Sequence, residues 1–155
     1  MKRVHEVVQY AINTGSYSIL NIHHEYWNYD FYDNLDQAKI ILQAIWNQIA
    51  AEFEEFDELL IFEGMNEPRK VNTDVEWKGG DQEGRNFVNE MNDLFMNTVH
   101  ASVGNNELHH LMIPTYAAAH KLESKTNLPL KLSNILIVMI KLLFPSIFTL
   151  HINLH

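Results

Sequence analysis

Apolar residues recur at helical spacing in three stretches, and three short apolar runs alternate with them. The helical stripes are Val4-Val7-Val8-Ala11, Ala38-Ile41-Leu42-Ile45-Ile49-Phe53 and Phe87-Met91-Leu94-Phe95. The runs of strand length are residues 17–22, 59–62 and 111–113. This order of helix and strand predicts an α/β fold with βαβ units and a parallel sheet. Periodicity alone does not distinguish an open doubly wound sheet from an eight-stranded barrel.

Two of the predicted helices carry end signals. Gly15 is well placed to end the first helix. Asn34 precedes the second helix with Gln37 three residues later, which predicts a capping box.

Charge and composition exclude several classes of protein and site. A net charge of −9 argues against a nucleic-acid-binding surface, which needs clustered Lys and Arg. With no cysteine, disulfides and thiolate metal sites are excluded. Residues 1–13 contain no apolar signal-peptide region. The apolar run 135–150 is interrupted by Lys141 and Pro145, and we expect no membrane span there.

The last quarter of the chain differs in composition from the rest. Residues 121–155 carry four Lys and one Glu, whereas the preceding residues are strongly acidic. We therefore interpret 120–155 as an atypical tail, irregular and separate from a native barrel. We hypothesise that it is translated out of frame, because back-translation of residues 139–155 into a shifted frame can give a strand-like sequence. The nucleotide sequence tests this.

Two predicted strands end in concentrated polar residues. His23-His24-Glu25 follows the first strand and Asn66-Glu67-Pro68 follows the second. Because parallel sheets place ligand chemistry at the carboxyl ends of their strands, we expect both clusters at one edge. A glutamate beside an asparagine suits glycoside hydrolysis, in which the carboxylic acid protonates the departing glycosidic oxygen and the amide holds a sugar hydroxyl.

These polar residues also have ordinary structural interpretations. Taken alone, Glu67 is a surface glutamate before a proline. The pair His23-His24 is an unfavourable metal site, because adjacent strand residues point to opposite faces and no third spaced ligand is present. Glu63 is interpreted as a structural carboxylate that pairs with Arg69 or with an arginine absent from the sequence.

Aromatic residues near the strand ends are candidates for stacking on sugar rings. Trp27 and Trp77 lie in loops after strands, where they could bind sugar or serve as packing anchors. Tyr116 ends the third strand and is a candidate to reach the cleft. Trp46 lies on a helical stripe and is expected in the core.

Longer stretches resemble a known family. V-V-Q-Y-A-I-N-T-G-S-Y-S-I-L-N-I-H-H-E-Y-W, I-F-E-G-M-N-E-P-R and L-M-I-P-T-Y-A-A closely resemble family 5 glycoside hydrolases, with endo-β-1,4-glucanases (cellulases) and xyloglucan-active enzymes nearest. The resemblance covers residues 1–119, and N-E-P in its E-G-M-N-E-P-R setting is specific.

The resemblance implies a partial TIM (β/α)8 barrel with its third to fifth strands, and a retaining mechanism without a cofactor. Glu67 corresponds to the family's acid/base and Asn66 to its sugar-binding amide. His23 and His24 correspond to the pair that lines the cleft after the third strand. The implied partner is a β-glucan polysaccharide or oligosaccharide, with no nucleic acid and no membrane. The implied parent protein is a secreted monomer.

The sequence departs from the family in its catalytic set. The family's nucleophilic glutamate follows the seventh strand, and nothing here corresponds to it. The arginine after the second strand and the tryptophan after the eighth are also missing. A retaining site needs two carboxyl groups roughly 5–5.5 Å apart. We therefore expect hydrolysis of β-1,4-glucan from an intact parent, and from the chain alone at most weak glucan binding. Which glucan is preferred stays open.

Overall fold

The computed structural model describes residues 1–23, 26–28, 33–119, 135–138 and 147–152. Its helices are α1 (Lys2–Asn13), α2 (Leu35–Glu52) and α3 (Gln82–His100), and its strands are β1 (Tyr17–Ile22), β2 (Leu60–Glu63), β3 (His110–Pro114), β4 (Ile135–Val138) and β5 (Ile147–Ile152). The three helices and the first three strands confirm the elements expected from the periodicity.

Every pair of neighbouring strands runs parallel, in the order β4-β3-β2-β1-β5. Leu20 lies opposite Phe62, and Phe62 lies opposite Leu111, so the first three strands are consecutive neighbours. Helices α2 and α3 make the crossovers between them. Parallel strands with flanking helices confirm the predicted α/β class with a parallel sheet, the arrangement that part of a TIM barrel has.

Two strands come from the region interpreted as an atypical tail. Strand β4 pairs with β3, and β5 pairs with β1 in a register that sets His151 opposite Asn21. These described parts of the tail form regular strands, because β-branched apolar runs suit strands and the outer edges of β1 and β3 offer unpaired backbone groups. The interpretation of 120–155 as irregular or out of frame stays a prediction.

The two faces of the sheet are packed differently because successive strand residues point to opposite sides. On one face Leu20, Ile22 and Phe62 pack against the helices, together with the fully buried Trp46. Trp46 was expected in the core, and this is confirmed. On the other face Ile19, Ile61 and Met112 form a separate apolar cluster.

The helix ends agree only partly with their sequence signals. Gly15 follows α1 with φ of 75°, a conformation that suits glycine. The capping box predicted at Asn34 is wrong, since its side chain makes no capping hydrogen bond. Its Nδ2 instead donates to the Trp27 carbonyl oxygen at 3.0 Å. Helix α3 is capped by Asp81, which accepts from the Gly84 backbone N–H at 2.8 Å.

None of the helices in the described part of the chain combines the length and hydropathy needed to cross a bilayer.

Candidate functional site

The polar residues that follow β1 and β2 lie at one edge of the sheet. The strands are hydrogen-bonded neighbours, and Asn21 of β1 lies opposite Glu63 of β2. His23 comes one residue after β1, and Asn66 and Glu67 come three and four residues after β2. The carboxyl ends of adjacent parallel strands therefore carry these three residues, as expected. His24, predicted beside them, lies outside the described residues.

A buried hydrogen bond joins β1 and β2 close to this edge of the sheet, between Asn21 and Glu63. Nδ2 of Asn21 donates to Oε2 of Glu63 at 2.8 Å, and both side chains are buried. Burying a carboxylate is costly unless hydrogen-bond donors are provided, so this amide stabilises the glutamate in place. The interpretation of Glu63 as a structural carboxylate is consistent with this burial.

Asn66 and Glu67 differ strongly in exposure. Asn66 is only 9% exposed, whereas the Glu67 side chain is 41% exposed. The glutamate is therefore accessible to a ligand, while the asparagine beside it is held within the protein. A hydrolytic acid/base needs this access to the substrate and to water.

The segment that carries Glu67 is tied to its neighbours on both sides. The Trp46 indole Nε1 donates to the Gly64 carbonyl at 3.1 Å, and the Gly64 N–H donates to Met112 at 3.0 Å. One residue after Glu67, the Pro68 carbonyl accepts from the Ala117 N–H at 2.9 Å. One side-chain hydrogen bond from α2 and two backbone hydrogen bonds, from β3 and the turn after β3, thus set the position of the acidic residue.

Tyr116 takes a different place from the one expected. Its side chain is fully buried, so no part of the ring is available to a sugar. The Lys70 backbone N–H donates to its hydroxyl at 2.9 Å, and burial raises the pKa of the phenol. The ring lies so close to Gly80 and Gly84 that a Cβ at either position would be 2.6 or 2.7 Å from it. Tyr116 positions the loop after β2 and does not line its surface.

An ionic cluster joins this loop to the start of α3. The Lys70 ammonium donates to Asp81 at 2.8 Å and to Glu83. Burial acts to lower the pKa of Lys70, but the hydrogen bonds to these carboxylates outweigh it and raise that pKa. Lys70 therefore stays charged and stabilises both ends of the loop.

The two loop tryptophans have different environments. Trp27 is half-buried and packs against the helical core, which favours its interpretation as a packing anchor. Trp77 is 60% exposed, and the Arg69 guanidinium carbon lies 4.3 Å from the centre of its ring. Trp77 thus presents aromatic surface to solvent beside the Glu67 segment.

Sequence reasoning missed the role of Arg69 in this loop. Glu63 was expected to pair with Arg69 or with an arginine absent from the sequence. The Nε of Arg69 donates to Glu76 at 3.1 Å, and its guanidinium also contacts Glu67. The position of Arg69 two residues after Glu67 was a signal that could have indicated this.

Among the residues that the structure describes, no three His, Asp or Glu side chains come together as a metal site.

Comparison with known proteins identifies related sequences. The family model for cellulase, glycosyl hydrolase family 5, matches residues 1–140. This match extends past residue 119, where the resemblance was expected to end. The chain is 72% identical over 118 residues to endoglucanase B of Neocallimastix patriciarum and 45% identical over 120 residues to endoglucanase B of Clostridium cellulovorans. These alignments cover 76% and 77% of the chain.

The fold is likewise similar to solved structures. A broad specificity endoglucanase from Ruminococcus champanellensis with bound cellotriose superposes with a TM-score of 0.82 at 44% identity, covering 88% of this chain. The chain spans about a quarter of the length of the curated relatives, 25% and 27% respectively, and 41% of the solved structure.

Proposed function

Because the chain belongs to the cellulase family, glycosyl hydrolase family 5, we propose that it supplies the acid/base side of a retaining endo-β-1,4-glucanase active site. The observation that carries the proposal is the shared edge of β1 and β2, from which the accessible Glu67 carboxylate, the enclosed Asn66 amide and His23 all follow. The endoglucanase names of the relatives support the same substrate class.

In the proposed reaction, Glu67 acts twice. A second carboxylate of the whole protein attacks the anomeric carbon, and Glu67 gives its proton to the departing glycosidic oxygen. The products of this step are the shortened glucan and a covalent glycosyl-enzyme. Glu67, now a carboxylate, takes a proton from water as the water attacks the anomeric carbon. The sugar is released with retained configuration, and both carboxyl groups return to their starting states.

The substrate in this proposal is a β-1,4-glucan chain, with Trp77 and Asn66 as its contacts from this part of the protein. The exposed Trp77 ring offers a flat apolar surface of the kind on which pyranose faces pack. Because polymeric glucan is outside the cell, the proposal includes secretion. Hydrolysis of β-glucan by culture supernatant rather than by washed cells tests that element.

Replacing Glu67 by Gln tests the acid/base role directly. In the full-length protein, kcat/KM for cellotetraose is expected to fall about 10²- to 10⁴-fold, since the leaving sugar then departs without a proton. Dinitrophenyl cellobioside has a leaving group that needs no proton, so its kcat/KM is expected to fall far less. Glu58→Gln, an exposed glutamate at the opposite end of β2, is the matched control. Equal losses with both substrates, or no hydrolysis by the wild-type protein, would refute the proposal.

A second candidate function is glucan binding without hydrolysis. It is supported by the same exposed Trp77 ring, which remains available to a sugar whether or not a nucleophile is present. Titration of the chain with cellotetraose, followed by tryptophan fluorescence, tests it. Binding that is abolished by Trp77→Ala and unaccompanied by reducing-sugar release favours this candidate over the enzyme.

A further inference from the structure

Arg69 is held in one orientation by contacts on several sides of its guanidinium group. Its Nε donates to Oε1 of Glu76 at 3.1 Å, and the carbon at its centre lies 4.3 Å from the centre of the Trp77 ring. The side chain is only 17% exposed although it is charged. A guanidinium that is stacked and hydrogen-bonded in this way presents its planar donors in a defined direction.

The partner of Arg69 is itself fixed. The second oxygen of Glu76 accepts the Asn72 backbone N–H at 2.9 Å, and the Glu76 side chain is 16% exposed. Both carboxylate oxygens of Glu76 are therefore engaged within the same loop. A rigid acceptor of this kind sets the direction in which the guanidinium of Arg69 points.

In this orientation the guanidinium of Arg69 contacts Glu67. Its NH1 donates to the Glu67 carbonyl oxygen at 3.0 Å and lies 3.7 Å from Oε2 of the same residue. We infer that Arg69 is a positioning residue for Glu67. Arg69 contacts both the backbone carbonyl and the carboxylate of the general acid, and so orients it for proton transfer to the substrate. This inference rests on the proposed function, because it assigns Arg69 a part in the same proton transfer.

The Arg69 guanidinium contacts two carboxylates, those of Glu76 and Glu67. The Arg69 charge is shared with Glu76 through a direct hydrogen bond. Arg69 can therefore orient the Glu67 carboxyl group without standing beside it as an isolated cation.

A positioning role makes a prediction that a loop-stabilising role does not. If Arg69 acts through Glu67, its replacement lowers the rate of hydrolysis more for substrates whose leaving group needs a proton than for substrates whose leaving group does not. Misplacement of a catalytic group by about 1 Å costs up to about 100-fold in rate. We therefore expect Arg69→Gln to lower kcat/KM for cellotetraose about 10- to 100-fold, mainly through kcat, and for dinitrophenyl cellobioside by less than about threefold.

Arg85 provides the matched control. Its NH1 donates to the carbonyl oxygens of Gly79 and Gly80 at 3.1 and 2.7 Å, so it stabilises the same loop by hydrogen bonds to the backbone. Arg85→Gln is expected to affect both substrates by the same factor. Arg69→Lys retains the charge but lacks the planar guanidinium with its several donors. We therefore expect its kcat/KM to remain lowered more for cellotetraose than for dinitrophenyl cellobioside. Thermal unfolding of each variant shows whether the fold is retained.

The experiment measures kcat/KM for both substrates in the full-length wild type and in the Arg69, Arg85 and Glu67 variants. A loss that depends on the leaving group for Glu67→Gln and Arg69→Gln, but not for Arg85→Gln, supports the inference. Equal losses with both substrates for Arg69→Gln, no loss, or full recovery by Arg69→Lys overturn it. If Glu67→Gln itself shows no dependence on the leaving group, the proposed function fails instead.

Discussion

Trp46 connects the helical core to the backbone at Gly64, just before Asn66 and Glu67. Its replacement should therefore lower the free energy of unfolding. The indole is fully buried, with Phe95 at 4.5 Å and Phe62 at 5.4 Å between ring centres. Its Nε1 donates to the Gly64 carbonyl at 3.1 Å, three residues before Glu67. Trp46→Phe keeps an aromatic ring but removes this donor and part of the volume.

Two terms set the expected destabilisation. A buried carbonyl that loses its donor costs about 1–3 kcal/mol. The smaller ring leaves a space of roughly 40 Å³, which at about 24 cal/mol per Å³ costs about 1 kcal/mol. We therefore expect Trp46→Phe to lower the free energy of unfolding by about 2–4 kcal/mol. The same substitution at Trp77, whose ring is 60% exposed, is expected to cost less than about 1 kcal/mol.

Urea unfolding followed by far-ultraviolet circular dichroism measures both variants without depending on tryptophan emission. A two-state fit gives the free energy of unfolding for each protein. If Trp46→Phe and Trp77→Phe were equally stable, the bond to Gly64 and the close packing around Trp46 would contribute nothing, and the reasoning would be refuted.

Two further perturbations test the surroundings of the site. Gly80→Ala introduces a Cβ 2.6 Å from the buried Tyr116 ring at a φ of 70°, and should lower the free energy of unfolding in urea by roughly 2–5 kcal/mol. Gly15→Ala, at a φ of 75° in open space, should lower it by only about 1–2 kcal/mol. Equal losses for the two variants would contradict the close approach of Gly80 to Tyr116. Burial lowers the pKa of His109 below 6.5, so the unfolded state binds more protons between the lowered value and 6.5, and stability should fall as the pH decreases through that window. His109→Gln should weaken this pH dependence, and an unchanged dependence in unfolding curves would count against it.

The sequence by itself determined the order and type of the elements. Apolar side chains at helical or strand spacing must share a face, so 3–13, 17–22 and the later stripes could be assigned from local information. The alternation of these elements made the strands parallel, and strand ends in a parallel sheet carry the chemistry. This is why the edge that carries His23, Asn66 and Glu67 could be expected from the sequence alone.

The tertiary structure alone decided which side chains meet across long sequence separations. Asn21 and Glu63 are 42 residues apart, and Lys70 and Tyr116 are 46 apart, yet each pair is joined by a hydrogen bond. Such pairs depend on strand register and on how the loop after β2 folds back, neither of which is encoded in local periodicity. For the same reason, the burial of Tyr116 could not be predicted, because it depends on the Lys70 N–H and on Gly80 and Gly84, which are distant in the sequence.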